Sequence, residues 1–411
     1  MLKRMNKMLI VKESELKVNE DKKISTAVMS SFVILMGQYF ILYFFNIEST
    51  KMGENIQLIS KAIVGLFFLR VFPTVFKKQG TLFILMYCVF LAIFSFNYLF
   101  FQQNIVYLND VLFKFFFICL PCFLYSFSIN DRRILRDIME KCGLIVFIIG
   151  LIIGFLVFIK KISLGSYSMS LSYYMLLPTL IFMDKFFEKF SIKSIIFSIV
   201  SLFVMLALGS RGAIMCVGVY VILYLLINSR GINAKKFLIN IVIFVLIIFI
   251  LIYLKEIFIF MNRILNKFGI YSRSINLFLK NEINLSGRDV IYDEVLYQIE
   301  SNPILGIGLG GDRLYTGGSY SHNIILEIVS GFGVVFGTII LIIIGIISTK
   351  SLFSKDIEES NLMLIWFCIG FVPLMVSGSY LIDFQLWIYL GLAVRFLKEL
   401  KGKKKIGYKG R

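Results

Sequence analysis

The stretch Gly143–Ile159, GLIVFIIGLIIGFLVFI, decides the fold, because its 17 residues carry no charge and no polar side chain. Coiled as an α-helix it is about 25 Å long, close to the roughly 30 Å hydrocarbon core of a bilayer. Inside lipid every backbone N–H and C=O must be satisfied by the chain itself, which a helix does without leaving an edge. Similar apolar runs recur along the chain, which is 58% hydrophobic and 17% charged. A water-soluble domain carries about a quarter charged residues. The sequence therefore reads as an all-α polytopic membrane bundle.

Twelve spans are expected, at about 26–47, 56–76, 80–101, 105–128, 143–159, 168–184, 192–209, 212–228, 236–254, 322–348, 361–378 and 381–397. The bundle thus covers 26–397, between a basic N-terminal tail (1–25) and a basic C-terminal tail (398–411). The fourth span is unusual in carrying Asp110 and Lys114, four residues apart on one helix face and able to pair inside the bundle. Arg70, near the end of the second span, is expected to snorkel toward the cytoplasm.

Net charge is +18, which invites a nucleic-acid reading. The distribution argues against it. With both termini inside, cytoplasmic segments hold 28 Lys and Arg and outer ones 11, seven of them in one long loop. Long loops count little for topology, so the short segments decide, and they place both ends in the cytoplasm. No nucleic-acid partner is expected, and the charged N-terminus has no cleavage site of the signal-peptide kind. The six cysteines lie in or beside apolar runs and show no disulfide or zinc spacing.

This topology leaves two features outside. One is the tight turn LGSRGA around Arg211. The other is a loop of about 255–321 between the ninth and tenth spans, the largest extracytoplasmic segment. Within it SGRDVIYDEVLYQIESNP reads as a surface helix over about 288–301, capped by Ser286 or Gly287 and followed by Pro303. Ile291, Val295 and Ile299 form its apolar stripe. The glycine-rich GIGLGGDRLYTGGSY that follows reads as mobile or tightly turned.

GIGLGG matches GxGxxG, but neither a preceding strand nor a following helix supports a dinucleotide site. No P-loop, zinc-protease, esterase or calcium-loop pattern is present, and no motif calls for a metal or a cofactor. What stands out is basic. Arg211 and Arg288 each present a planar fork of donors suited to phosphate oxygens, although an arginine at a span end also anchors a helix to headgroups. His322, the single histidine, opens the tenth span. It reads either as an interfacial polar residue or as a general base, with an unperturbed pKa of about 6.5 that the helix's positive end lowers. Ser210, Tyr320, Asn323 and Glu327 are candidates for positioning a substrate, and Glu327 reads equally as a buried packing partner. Gly333 and Gly337 form a GxxxG, read as a close helix-packing face.

Taken in order, LGSRGA, SGRDVIYDEVLYQIESNPILGIGLGG and SYSHNIILEIVSGFGVVFG resemble the core of the O-antigen polymerase and O-antigen ligase superfamily, the Wzy and WaaL type. The resemblance covers roughly 200–345 by motif and the whole chain by topology. It implies an integral-membrane glycosyltransferase working on the outer face of the bacterial cytoplasmic membrane, with neither nucleotide sugar nor metal. Its substrates would be a polyprenyl-pyrophosphate-linked oligosaccharide donor and an acceptor, in contact with membrane lipid. Arg211 and Arg288 would hold the pyrophosphate, and His322 would act near the acceptor hydroxyl. The Lys/Ile/Phe/Asn-rich composition, which fits capsule- or exopolysaccharide-making bacteria, and the greater diversity of polymerases in the superfamily favour an O-antigen, capsule or exopolysaccharide polymerase. A chain-length regulator and a separate flippase are possible partners for it. A ligase transferring glycan to lipid A core or protein is the alternative, and a lipid-oligosaccharide flippase, resting on Asp110 and Lys114, is the rival from another class.

Overall fold

The computed structural model describes residues 2–159, 161–162, 169–208, 210–229, 253–267 and 287–408, with the isolated positions 241, 275 and 279. Among these residues the chain is helical and contains no strand. In chain order the helices are α1 (Leu2–Phe44), α2 (Lys51–Phe100), α3 (Ile105–Lys114), α4 (Leu120–Phe127), α5 (Arg132–Phe158), α6 (Met169–Glu188) and α7 (Ile192–Leu208). They continue as α8 (Arg211–Asn228), α9 (Leu254–Lys267), α10 (Arg288–Ser301), α11 (Asp312–Tyr315), α12 (Ile324–Leu352), α13 (Ile357–Gly370) and α14 (Phe384–Tyr408).

Among the described residues, seven stretches are long and apolar enough to cross a membrane, fewer than the twelve spans expected. One reason is α2. Its 50 residues would extend about 75 Å if straight, more than twice the bilayer core. Helical geometry instead lapses at Gln79 (φ −138°, ψ 26°), and the rings of Phe72 and Phe83 lie 5.5 Å apart. On one straight helix those residues would stand about 16 Å apart. Thus α2 is a helical hairpin that contains the second and third expected spans. A second reason is length and charge. At 17 residues α7 is short, and α6 ends in Asp184, Lys185 and Glu188. The ninth expected span, 236–254, falls almost wholly outside the described residues.

The fourth expected span is α3 and α4 joined by a π-helical turn at Phe115–Cys119. Pro121 accounts for the widening, since its nitrogen has no proton to donate and its ring crowds the carbonyl of the preceding turn. Asp110 and Lys114 are both exposed on α3, and no ion pair joins them. The expected intrahelical pair inside the bundle is not formed.

The bundle has an apolar interior and an apolar skin. Phe32, Tyr220, Trp366 and Tyr389 are fully buried, and Phe32 packs edge-on against both Trp366 and Phe384. On α5, Val146 and Ile153 face inward while Ile148, Ile152 and Phe155 face outward. That outer surface suits hydrocarbon rather than water.

Two polar layers close the ends. At one end buried Asp21 accepts hydrogen bonds from Lys78 Nζ (2.9 Å) and the Asp131 N–H (2.8 Å). There Arg132 bridges Glu359 and Glu399, and Arg136 binds Asp184 at 2.7 Å. All these segments are ones that charge counting groups on the cytoplasmic side. The opposite end gathers Asn97, Asn104, the SRG turn and the glycine-rich loop. Here Met261 of α9 also shares a small apolar cluster with Ile275 and with Phe203, Leu206 and Ala207 at the end of α7.

Candidate active site

The SRG turn is shaped by its two flanking residues. Ser210 caps α8, its hydroxyl accepting from the Ala213 N–H at 3.4 Å, and Arg211 is exposed at the helix start. A β-carbon on Gly212 would fall 2.2 Å from Tyr173 Oη and 3.2 Å from Val376 Cγ2. The turn is therefore pressed against α6 and against the segment that follows α13.

Arg288 opens α10 as expected. Gly287, left-handed at φ 77°, is the cap residue and offers no side chain, while Ser286 lies outside the described residues. The expected stripe is real: Val295 is buried, Ile291 and Ile299 are half-buried, and the helix packs on α12.

The GxGxxG segment is a packing device. The Ile307 N–H donates to Ser330 O, and the Val334 N–H donates to Pro303 O, both at 2.7 Å. These bonds need α12 to break, which it does at Gly333 (φ 75°, ψ 169°). A β-carbon on Gly306 would lie 2.3 Å from Ser330 O, and one on Gly333 would lie 2.2 Å from Ile304 O. From the other side Asn97 Oδ1 accepts from the Leu309 N–H, and Asn104 Nδ2 donates to Ile307 O. The glycines let two backbones touch. Gly333 and Gly337 mark this kink within one helix, since a β-carbon on Gly337 would meet Val329 of the same helix. The expected seam between two helices is replaced by a socket for the loop.

Beyond that loop lies a buried network. Arg313 donates from Nη1 to Asp312 Oδ1 (3.1 Å), and from Nη2 to Ser379 Oγ (2.9 Å) and Glu327 Oε1 (3.4 Å). Asp312 Oδ2 accepts from the Ser321 N–H, Glu327 Oε2 from the Tyr380 N–H, and Ser379 also bonds Glu327 Oε1. All four carboxylate oxygens are thus engaged by protein donors. Glu327 is a buried partner of Arg313.

This network holds the histidine in place. Arg313 Cζ stands 6.0 Å from the centroid of the Tyr320 ring, which lies 4.3 Å from the His322 ring. Ser321, anchored by Asp312, precedes His322, whose backbone is left-handed at φ 54°. Asn323 follows and caps α12, its Oδ1 accepting from the Ile325 N–H at 2.9 Å. His322 Nδ1 is buried with no hydrogen-bond partner. Burial, and then the charge of Arg288, pull the His322 pKa down to about 4. The direction is the one expected from the sequence, but the causes are burial and Arg288 rather than the helix end. The imidazole is neutral at physiological pH.

A chain with one histidine gives one imidazole signal. In protein labelled with 15N-histidine, the resonance should titrate near about 4. Arg288→Gln should raise that value toward the free-histidine value of about 6.5. A wild-type midpoint near the free value would contradict the geometry.

Arg211, Arg288 and His322 lie at one end of the bundle, each at a helix start, and Arg288 acts electrically on His322. A family model described as O-antigen ligase (Wzy_C) matches residues 196–342. That stretch is similar to the O-antigen ligase family. The matched region runs from within α7 into α12, so it includes the SRG turn, α10, the glycine-rich loop and His322. It is the region that carries the motif resemblance to the O-antigen polymerase and ligase superfamily. No curated protein and no solved structure matches the chain. From outside the matched region Tyr173 packs against Gly212 of the SRG turn and Ser379 bonds Arg313, and the sequence offered no sign of either. Arg313 lies within it, in the glycine-rich run that read as mobile or tightly turned and is tightly turned.

Proposed function

We propose that this protein is a polysaccharide polymerase of the O-antigen, capsule or exopolysaccharide kind. It would transfer a growing glycan from polyprenyl pyrophosphate to a lipid-linked repeat unit on the outer face of the cytoplasmic membrane. The observation that carries the reading is the single histidine packed 4.3 Å from the Tyr320 ring, its Nδ1 without a partner among the described residues, within the electrostatic reach of Arg288 at one end of the bundle. In the reaction the bond between the anomeric carbon and a phosphate oxygen breaks, and its electron pair leaves with the diphosphate. Arg211 and Arg288 stabilise that growing charge. The acceptor hydroxyl forms the new bond and gives its proton to His322, whose Nδ1 has no internal partner.

A ligase is the second reading, favoured by the description of the matching family model. The flippase reading loses its main feature, because Asp110 and Lys114 are exposed and unpaired with each other rather than a buried ionisable couple. Deleting the gene separates the three. A polymerase null should accumulate single lipid-linked repeat units on the outer leaflet. Lipid-linked long polymer would mean a ligase, and units held on the inner leaflet would mean a flippase.

A further inference from the structure

Tyr173 Oη and His322 Nδ1 are both buried, and both lack a hydrogen-bond partner among the described residues. Buried polar groups are normally bonded, so an orphan near a candidate site needs an explanation. Ser210 and Ser377 stand within hydrogen-bonding reach of the tyrosine hydroxyl, but neither is aligned to complete a bond to it. Ser210 Oγ is turned to the Ala213 N–H at 3.4 Å and Ser377 Oγ to Met169 Sδ at 3.6 Å.

The position of the hydroxyl is informative. A β-carbon at Gly212 would sit 2.2 Å from Tyr173 Oη, so the glycine of the SRG turn keeps open the place that the hydroxyl fills. Arg211 is the neighbouring residue, and the charge of Arg288 reaches both Tyr173 and His322. The hydroxyl therefore stands with the groups assigned to the diphosphate, next to the turn carrying one arginine and within the field of the other.

We propose that Tyr173 is a third substrate-contacting residue, donating its Oη–H to a non-bridging oxygen of the donor lipid's diphosphate. This rests on the transferase reading above. A neutral hydroxyl adds direction where the two guanidiniums add charge. It also supplies a bond that strengthens as the diphosphate leaves.

Tyr173→Phe tests it, because the ring is retained and only the hydroxyl is lost. The assay uses full-length protein in proteoliposomes with lipid-linked repeat units, and farnesyl diphosphate as a competing product mimic. A hydrogen bond to a charged partner predicts a loss in turnover, and a rise in the inhibition constant of farnesyl diphosphate, of about 10- to 100-fold. The melting temperature should hold. Unchanged turnover and inhibition, beside inactive His322→Ala and Arg288→Ala proteins, would overturn the role of Tyr173 and leave the transferase reading standing. A fall in melting temperature and turnover with an unchanged inhibition constant would also overturn it, by showing a structural role. Wild-type activity in all three variants would sink the transferase reading itself.

Discussion

Replacing His322 with alanine is expected to lower glycan transfer by about 10²- to 10⁴-fold, the range for loss of a positioned acid–base group. Protein level should be kept. The backbone at this residue is left-handed, φ 54°, and alanine adopts that conformation less readily than histidine or asparagine. His322→Asn is therefore the sharper variant, since it tolerates the backbone and still cannot accept the acceptor's proton. Both proteins should be purified in similar amounts, and both should fail to extend a lipid-linked repeat unit. Near wild-type chain extension by the asparagine variant would remove His322 from the chemistry.

Removing Arg288 should cost about as much as deleting one donor to a developing anion, roughly 10²- to 10³-fold in turnover. Lysine should restore only part of it, because an ammonium is a point charge and cannot offer the forked pair of donors. Arg288 also has a second effect that Arg211 lacks, since its charge is one of the two causes that lower the His322 pKa. In Arg288→Lys the acid limb of kcat/KM, which reports the unloaded enzyme, should stay at about 4 as in the wild type. In Arg288→Gln the limb should move upward. An acid limb that ignores residue 288 would break the link between the two residues.

The sequence shows the three main candidates because each sits where chain chemistry changes abruptly. Arg211 and Arg288 start helices after polar or glycine residues, and His322 stands where a glycine-rich run meets an apolar helix. Their convergence is a different matter, since it depends on packing among distant segments. Tyr173 gave no signal, being one aromatic residue in an apolar stretch, and its place against Gly212 is visible only in the fold. Arg313 sits among glycines that suggest mobility. Of the two readings those glycines allow, mobile or tightly turned, the second holds, through backbone bonds to the kink at Gly333 and through Asn97 and Asn104. Periodicity likewise finds apolar stretches but not where a helix folds back, so the turn at Gln79 had to come from the structure.

The placement of Arg288 beside His322 sets an order of events on the proposed reaction. With the arginine's charge uncompensated, the imidazole is a poor base, its pKa held near about 4. A diphosphate bound to Arg288 cancels much of that charge and raises the proton affinity of the ring. The donor would then switch on the group that activates its own acceptor.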